Sequence, residues 1–193
     1  MEKSNGKKIN TAVFISGRGS NLYSLIKYSK KKNCPIIIRL VISSNLKAKG
    51  LIYAKRYKIK TYVTNFKNQN ISEKKLLKKL LYNKINLICL AGFMKILSKK
   101  FIKKFNKPIL NIHPSLLPKY KGLNTHKRVI KNKEKYSGAT VHLVTEKLDS
   151  GKIILKKKIK ISKNDNDKSL EKKVLKIEHM LYPNAIKKFL FRF

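Results

Sequence analysis

The chain has 193 residues, with 48 lysines and arginines against 9 aspartates and glutamates, and a formal net charge of +39 at pH 7. This length suits one domain, and a hydrophobic fraction of 42% can build a core, which argues against a disordered chain. The longest apolar runs, 36–42 and 85–93, are far shorter than the roughly 20 residues of a membrane-spanning helix, and the N-terminus lacks an apolar signal region. We therefore expect a cytoplasmic protein without a transmembrane segment.

Strand-like apolar runs alternate with helical periods from residue 9 to residue 112. Strands are predicted over 9–16, 35–42, 59–63, 85–91 and 108–112, and helices over 21–32, 48–57, 73–83 and 98–105. The helix over 73–83 is expected to place Leu76, Leu77, Leu80 and Leu81 on one face. Such alternation predicts an α/β fold with a doubly wound, mainly parallel sheet.

The pattern changes after Gly138. Two strands, 139–145 and 152–161, are separated by a stretch that ends in Asp-Ser-Gly, which predicts an antiparallel hairpin added to the sheet. A closing helix is expected near 167–181, with one apolar stripe. That stripe consists of Leu170, Val174, Ile177 and Leu181. Since the chain has no internal repeat or linker, one domain over 1–193 is predicted.

A turn with two glycines, Gly17-Arg18-Gly19-Ser20-Asn21, joins the first strand to the first helix. Glycines let backbone N–H groups approach an anion and the helix N-terminus adds partial positive charge, which favours a phosphate site. The alternative is a simple turn with Ser20 or Asn21 as N-cap. A dinucleotide fingerprint is disfavoured, because Leu22 stands at the third glycine position.

Asn111 and His113 are two residues apart at the end of a predicted strand, so both side chains share one face. Ligands of open α/β folds bind at this edge of the sheet. An amide beside an imidazole suits a developing oxyanion, whereas the alternative is a polar strand end entering a Pro-rich loop.

Asp149 lies in the hairpin connection, where it could serve turn chemistry alone. A hairpin next to the fifth strand would permit contact with His113, and the carboxylate would then raise the pKa of the imidazole. The apolar loop 92–97 is either core packing or a wall for a flat heterocycle.

Other chemistry-bearing residues favour structural roles. Taken alone, Glu178 is expected to be a solvated helix carboxylate. His126, His142 and His179 are also interpreted as structural, and no metal site is expected because the histidines lack HExxH-type spacing. Cys34 and Cys89 are predicted to be buried free thiols.

Four segments together closely resemble the phosphoribosylglycinamide formyltransferases, the folate-dependent enzymes of purine synthesis. They are GRGSNL at 17–22, AGFMKILS at 91–98, NIHPSLLPKYKG at 111–122 and GATVHLVTEKLDSGKIIL at 138–155. The resemblance covers about 10–190. HPSLLP and LDSG are shared by other formyltetrahydrofolate enzymes, whereas GRGSNL and the single-domain length indicate this family.

The resemblance implies a Rossmann-like formyltransferase fold and the site residues. Asn111, His113 and Asp149 match the catalytic trio. Gly19, Ser20 and Asn21 match the loop that binds the phosphate of glycinamide ribonucleotide in the family. Glu178 matches a carboxylate that contacts the same substrate. The residues that match the family's folate pocket are Met94, Lys95, Ile96, Leu97, Asn111, Thr145, Glu146, Lys147, Leu148 and Asp149.

Four positions depart from the family pattern. Lys95 and Gln69 stand where arginines are expected, which puts a folate contact by residue 69 in doubt. Leu143 replaces a usual aromatic residue, and Arg18 occupies a loop position that is often uncharged.

The implied reaction transfers a formyl group from 10-formyltetrahydrofolate, a co-substrate, to the amine of N1-(5-phosphoribosyl)glycinamide, without a metal. His113 as imidazolium and Asn111 would stabilise the oxyanion, and Asp149 would favour the charged imidazole. Residues of about 9–100 would bind phosphate, and those of about 85–190 would bind folate and catalyse. A monomer or homodimer is expected, with neither a membrane nor a specific nucleic acid as partner.

Two alternatives remain open. Within the superfamily, the enzyme could be a formyltetrahydrofolate hydrolase or another formyltransferase. From another class, the charge could serve a basic nucleic-acid-binding α/β protein, although the lysines are spread over nearly every predicted surface instead of forming one stripe.

Overall fold

Five parallel strands form most of the sheet, and helices follow the first four of them. The computed structural model describes residues 8–191. The strands are β1 (Ile9–Ile15), β2 (Ile36–Ser43), β3 (Lys60–Val63), β4 (Leu87–Leu90) and β5 (Ile109–His113). The helices between them are α1 (Ser20–Ser29), α2 (Leu51–Arg56), α3 (Gln69–Tyr82) and α4 (Lys99–Phe105).

The last part of the sheet is antiparallel, as predicted from the change of pattern after Gly138. Its elements are α5 (Thr125–Lys131), β6 (Tyr136–Leu143), β7 (Ile153–Lys160) and α6 (Asp167–Leu190). Strand β6 runs antiparallel to both β5 and β7, and the order across the sheet is β3-β2-β1-β4-β5-β6-β7. The predicted doubly wound, mainly parallel fold with a C-terminal hairpin and closing helix is confirmed. No helix within residues 8–191 is long and apolar enough to cross a bilayer.

Two helices differ from the sequence prediction. Helix α5 was not predicted. It has only seven residues, of which Val129 and Ile130 alone are apolar, so it shows no helical period of apolar residues. Helix α6 continues past the predicted end at 181, through Pro183. Proline removes one backbone donor, but Ala185, Ile186 and Phe189 beyond it are buried against the core and stabilise the extension.

Alternate strand residues pack on opposite faces of the sheet. On one face, Val13 and Cys89 belong to a cluster with residues of α1 and α6. On the other, Phe14 belongs to a cluster with residues of α3 and α4. Cys34 and Cys89 are buried free thiols, as predicted. The predicted leucine face of α3 is partly wrong, because Leu81 is 81% exposed.

Tyr182 joins α6 to the middle of the sheet. Its side chain is fully buried, and the phenol proton lies between the carbonyls of Leu90 on β4 and Leu110 on β5, with oxygen distances of 3.0 and 2.9 Å. The hydroxyl therefore satisfies its own hydrogen-bonding need while it ties α6 to two strands.

Candidate active site

A cleft of about 690 Å³ opens at the carboxyl ends of β1, β4 and β5. This is within the ordinary size of a small-molecule site, and it lies at the edge where α/β sheets bind ligands. Every residue that the sequence predicted for the site lines this one cleft: Gly19, Ser20, Asn21, Met94, Lys95, Ile96, Leu97, Asn111, His113, Thr145, Glu146, Lys147, Leu148, Asp149 and Glu178. The structure thus brings together residues from both halves of the chain.

One end of the cleft is the glycine loop, residues 17–21. Helix α1 begins at Ser20, and its N-cap is Gly19 in the left-handed conformation, with φ +75° and no side-chain cap. The alternative, in which Ser20 or Asn21 is the N-cap, is therefore wrong about the cap residue. Because no side chain caps the first turn, its N–H groups are available to an anion.

A second glycine packs directly on this loop. The backbone N–H of Gly50 donates to the carbonyl of Gly17 at 3.0 Å. A Cβ on Gly50 would lie 2.8 Å from the Cα of Gly19, closer than side chains tolerate. The two backbones pack so closely that neither Gly19 nor Gly50 has room for a side chain, and this contact fixes the glycine loop.

Glu178 faces the same end from α6. It is 6% exposed, so the interpretation as a solvated carboxylate is wrong. Asn21 Nδ2 donates to its Oε2 at 2.6 Å. Burial raises the pKa of Glu178 to about 7; the Asn21 hydrogen bond opposes this shift and the charge of Glu171 reinforces it. Near neutral pH this carboxyl can therefore exchange a proton.

Arg18 and Glu171 form an ion pair at the mouth of this end. Both line the cleft, and both side chains are substantially exposed. Arg18, in the loop that is predicted to bind phosphate, is therefore already paired with a carboxylate.

The other end holds the imidazole cluster, which consists of Asn111, His113, His142 and Asp149. Asp149 Oδ2 lies 3.4 Å from His113 Nδ1, and Asn111 Nδ2 lies 3.5 Å from Asp149 Oδ1. The N–H of Gly122 donates to Asp149 Oδ2 at 2.8 Å. The hairpin beside β5 thus places the carboxylate next to the imidazole.

The protonation of His113 differs from the sequence expectation. Its Nε2 donates to the carbonyl of Tyr120 at 2.8 Å. Burial lowers the pKa of His113, and the Tyr120 carbonyl and the charge of Asp149 only partly offset this. The expected rise in pKa is therefore wrong, and because the Tyr120 carbonyl can only accept, the neutral form of the ring carries its proton on Nε2.

Asp149 stays ionised despite its burial. Burial alone would raise its pKa, but the contact with the His142 side chain, the hydrogen bond from the Gly122 N–H and the nearby His113 ring outweigh it and lower the pKa of Asp149. The cluster therefore combines an anionic carboxylate with a neutral ring that could take up a proton.

His142 is the site residue that the sequence interpretation missed. It pairs with Asn111 across β5 and β6, and its Nε2 lies 3.2 Å from Asn111 Nδ2 and 3.5 Å from Asp149 Oδ1. Its Nδ1 donates to the carbonyl of Leu143 at 2.8 Å, which leaves Nε2 free to accept from Asn111. An antiparallel register between the fifth strand and the hairpin would have revealed this pair.

Apolar side chains form the wall between the two ends. Met94, Ile96 and Leu148 line the cleft although they are 64%, 67% and 51% exposed, whereas Leu97 is buried. Exposed apolar groups gathered in a cleft are typical of a site for a flat apolar ligand.

Gln69 supports this wall from behind. Its Nε2 donates to the carbonyl of Ile96 and to Glu73 Oε1, each at 2.9 Å. Glu73 is buried and also accepts from the backbone N–H of Ser98 at 2.7 Å. The amide at the position of the expected arginine therefore fixes the apolar loop to α3.

The remaining predicted residues form the rim. Thr145, Lys147 and Lys95 are exposed, and Glu146 pairs with Lys99 at 2.7 Å. His126 also lines the cleft, with a buried Nδ1 that has no hydrogen-bond partner among residues 8–191. Within the same residues, no group of three or more histidines, cysteines and carboxylates could hold a metal ion.

Comparison with known proteins gives one family. The formyl transferase family profile matches residues 9–186. The chain is 42% identical over 186 residues to the phosphoribosylglycinamide formyltransferase of Haemophilus influenzae, which covers 95% of this chain and 87% of that protein. It is 40% identical over 183 residues to the human trifunctional purine biosynthetic protein adenosine-3, which covers 93% of this chain but 18% of that protein.

Solved structures agree with the sequence comparison. The crystal structure of phosphoribosylglycinamide formyltransferase from Brucella melitensis superposes with a TM-score of 0.89 at 41% identity, over 95% of this chain and 96% of that one. The corresponding structure from Anaplasma phagocytophilum also gives 0.89, at 40% identity, over 94% of this chain and 86% of that one.

Proposed function

The chain belongs to the formyl transferase family, and from this premise we propose that it is a phosphoribosylglycinamide formyltransferase of de novo purine synthesis. It would transfer the formyl group of 10-formyltetrahydrofolate to the amine of N1-(5-phosphoribosyl)glycinamide. The observation that carries the proposal is the single cleft that runs from the glycine loop to the imidazole cluster. A phosphorylated amine and a formyl donor need such a shared space if one is to attack the other.

The glycine loop and Glu178 would bind the nucleotide. The uncapped first turn of α1 supplies backbone donors for a phosphate, through Gly19, Ser20 and Asn21. Glu178 and the buried Oδ1 of Asn21, which accepts no hydrogen bond within residues 8–191, supply acceptors for hydroxyl or amine protons. We place this function in residues of about 9–100, with Glu178 contributed by α6.

The apolar wall would hold the pteridine of the folate, which supplies the formyl group. Met94, Ile96 and Leu148 offer the exposed apolar surface. Lys95, Leu97 and residues 145–149 complete the pocket, and Asn111 lies at its inner end. We place folate binding and catalysis in residues of about 85–190 of one domain.

The imidazole cluster would move the proton and stabilise charge. The neutral His113 accepts a proton from the attacking amine at Nδ1, and the resulting imidazolium is stabilised by Asp149, 3.4 Å away. Asn111 Nδ2 donates toward the oxygen that gains negative charge, while His142 orients the amide. His113 then delivers the proton to the departing nitrogen, so that the ring ends neutral as it began.

An absorbance assay with formyl-folate tests this proposal. Loss of the formyl group only when glycinamide ribonucleotide is present is the expected result. Loss to water without the nucleotide would instead support a hydrolase. Tight, salt-sensitive binding of DNA or RNA without any folate binding would support the basic nucleic-acid-binding alternative.

The proposal carries expectations about setting and partners. Both substrates are anionic small molecules, and the net charge of +39 would increase their encounter rate in a salt-dependent way. We propose a cytoplasmic enzyme that acts as a monomer or a homodimer.

A further inference from the structure

The loop between β5 and α5 carries the carbonyl that fixes the tautomer of His113. Tyr120 supplies that carbonyl, and its own backbone is in the left-handed region, with φ +58°. Bulky aromatic residues rarely adopt this conformation, so surrounding contacts must hold it. The side chain of Tyr120 does not line the cleft, so its own contacts lie outside the cleft.

The contacts that hold Tyr120 lie behind the cleft. Its hydroxyl donates to Glu134 Oε1 at 2.9 Å and accepts from Asn132 Nδ2 at 3.0 Å. Lys119 Nζ donates to the same Glu134 oxygen at 2.9 Å. We call these four residues, Lys119, Tyr120, Asn132 and Glu134, the Glu134 bracket.

The bracket links the end of α5 to the catalytic loop. Glu134 lies between α5 and β6, and its backbone N–H donates to the carbonyl of Val129 on α5 at 3.3 Å. Its side chain holds two successive loop residues through one oxygen. The Arg128 guanidinium, 5.3 Å from the centre of the Tyr120 ring, also donates to the carbonyl of Lys121 at 2.6 Å. The loop is thus held on both sides of the residue whose carbonyl binds His113.

We propose that Glu134 is a positioning residue for formyl transfer: through the Tyr120 hydroxyl it holds the Tyr120 carbonyl against His113 Nε2, so that Nδ1 faces Asp149 and the cleft. The inference rests on the proposed function, in which Nδ1 is the atom that takes the proton. If the Tyr120 carbonyl moves away, Nε2 loses its partner and the proton is free to move to Nδ1. A ring in that tautomer cannot accept a proton from the amine.

The test compares variants that remove the bracket in different ways. Glu134→Ala removes both hydrogen bonds to the carboxylate, Tyr120→Phe removes only the hydroxyl, and Glu134→Gln keeps an acceptor for it. Glu134→Ala and Tyr120→Phe are expected to lower kcat about 10- to 100-fold with KM changed less than about threefold, since misplacement of a catalytic group acts on the rate. Glu134→Gln is expected to restore most of kcat.

A matched control separates positioning from general destabilisation. Asp165, like Glu134, accepts from a lysine ammonium and a hydroxyl, at 2.7 Å from Lys173 and 2.8 Å from Ser169. It lies before α6 and does not line the cleft. Asp165→Ala is expected to lose stability and keep kcat.

The deciding readout is the tautomer of His113, observed by ¹⁵N NMR of the imidazole. The protonated nitrogen of the unsubstituted protein is expected to be Nε2, and Glu134→Ala and Tyr120→Phe are expected to show a mixture with Nδ1. An unchanged tautomer in both folded variants, or a loss of kcat equal to that of Asp165→Ala, overturns the proposal. The NMR result stands without activity, so failure of the unsubstituted protein to transfer formyl groups would reject the proposed function and not the bracket.

Discussion

The glycine loop and the imidazole cluster occupy two ends of one cleft, yet they are built from different parts of the chain. The glycine loop offers backbone groups, and it is fixed where the backbones of Gly19 and Gly50 pack against each other with no room for a side chain. The imidazole cluster consists of side chains from β5, β6 and the 145–149 connection, each oriented by a hydrogen-bond partner. An added side chain is therefore expected to disrupt the glycine loop, whereas the loss of a hydrogen-bond partner is expected to disrupt the imidazole cluster. Substitutions at the two ends should therefore fail in different ways.

The largest effect should come from the imidazole cluster. His113→Ala and Asp149→Asn are expected to lower kcat by about 10²- to 10⁴-fold, because they remove the proton acceptor or the charge that stabilises its protonated form. Far-ultraviolet circular dichroism should remain unchanged, and KM for the nucleotide should change little. Near-normal turnover in either folded variant would remove the cluster from the mechanism.

Glu178 should give the next largest effect, and it should be visible without substrate. The folded protein keeps this carboxyl protonated up to about pH 7, whereas the unfolded chain releases the proton near its ordinary value of about 4.5. Between these values the folded state binds more protons, so stability falls as the pH rises. The difference amounts to about 3 kcal/mol.

Glu178→Gln removes that dependence, since the amide does not titrate and can still accept from Asn21. We expect the free energy of unfolding of the unsubstituted protein, relative to the variant, to fall between pH 4.5 and pH 7 and to level off above. Parallel stability curves for the two proteins across this range would mean that Glu178 ionises normally.

A Cβ at the centre of the glycine loop should act on binding and stability instead of turnover. Gly19→Ala forces a side chain into a left-handed conformation and against Gly50, which we expect to cost about 1–3 kcal/mol and to raise KM for the nucleotide. Gly17→Ala is the matched control for stability, because a Cβ there meets nothing within 4 Å. Equal melting temperatures for the two variants would contradict the packing argument.

Gln69 should give the smallest effect, confined to the folate. Gln69→Ala loses the two hydrogen bonds that fix the apolar loop, each of which contributes about 1 kcal/mol. We expect KM for formyl-folate to rise about fivefold, with kcat and KM for the nucleotide unchanged. Asn83→Ala, which loses one bond at the far end of α3, serves as the control. A similar rise in that control would assign the effect to α3 stability.

Periodicity sufficed to predict the sheet because its central strands, such as β1, β2 and β4, are apolar runs whose burial dominates local preference. It failed for α5, whose seven residues gain their helical state from contacts made elsewhere, and for the extension of α6 beyond Pro183. In both places tertiary packing decides what local sequence leaves undetermined.

The site residues predicted from the motifs all line the cleft. The protonation of His113 and Glu178, however, could not be predicted from the sequence. Two of the interpretations failed for one reason: burial, which a linear sequence does not display. It lowers the pKa of His113, which was expected to rise, and it raises the pKa of Glu178, which was expected to be solvated. His142 was missed because its place depends on strand register, which sets Asn111 opposite it.

Tyr182 fixes the position of α6 relative to β4 and β5, and with it the spacing between the two ends of the cleft. It lies four residues after Glu178 on α6, and therefore on the same side of the helix. Its hydroxyl is held by the carbonyl of Leu110, the residue that precedes Asn111. A slide of α6 by one residue, about 1.5 Å, would break that bond in the interior. The distance between Glu178 and Asn111 across the cleft is thus set by one buried phenol that does not itself line the cleft.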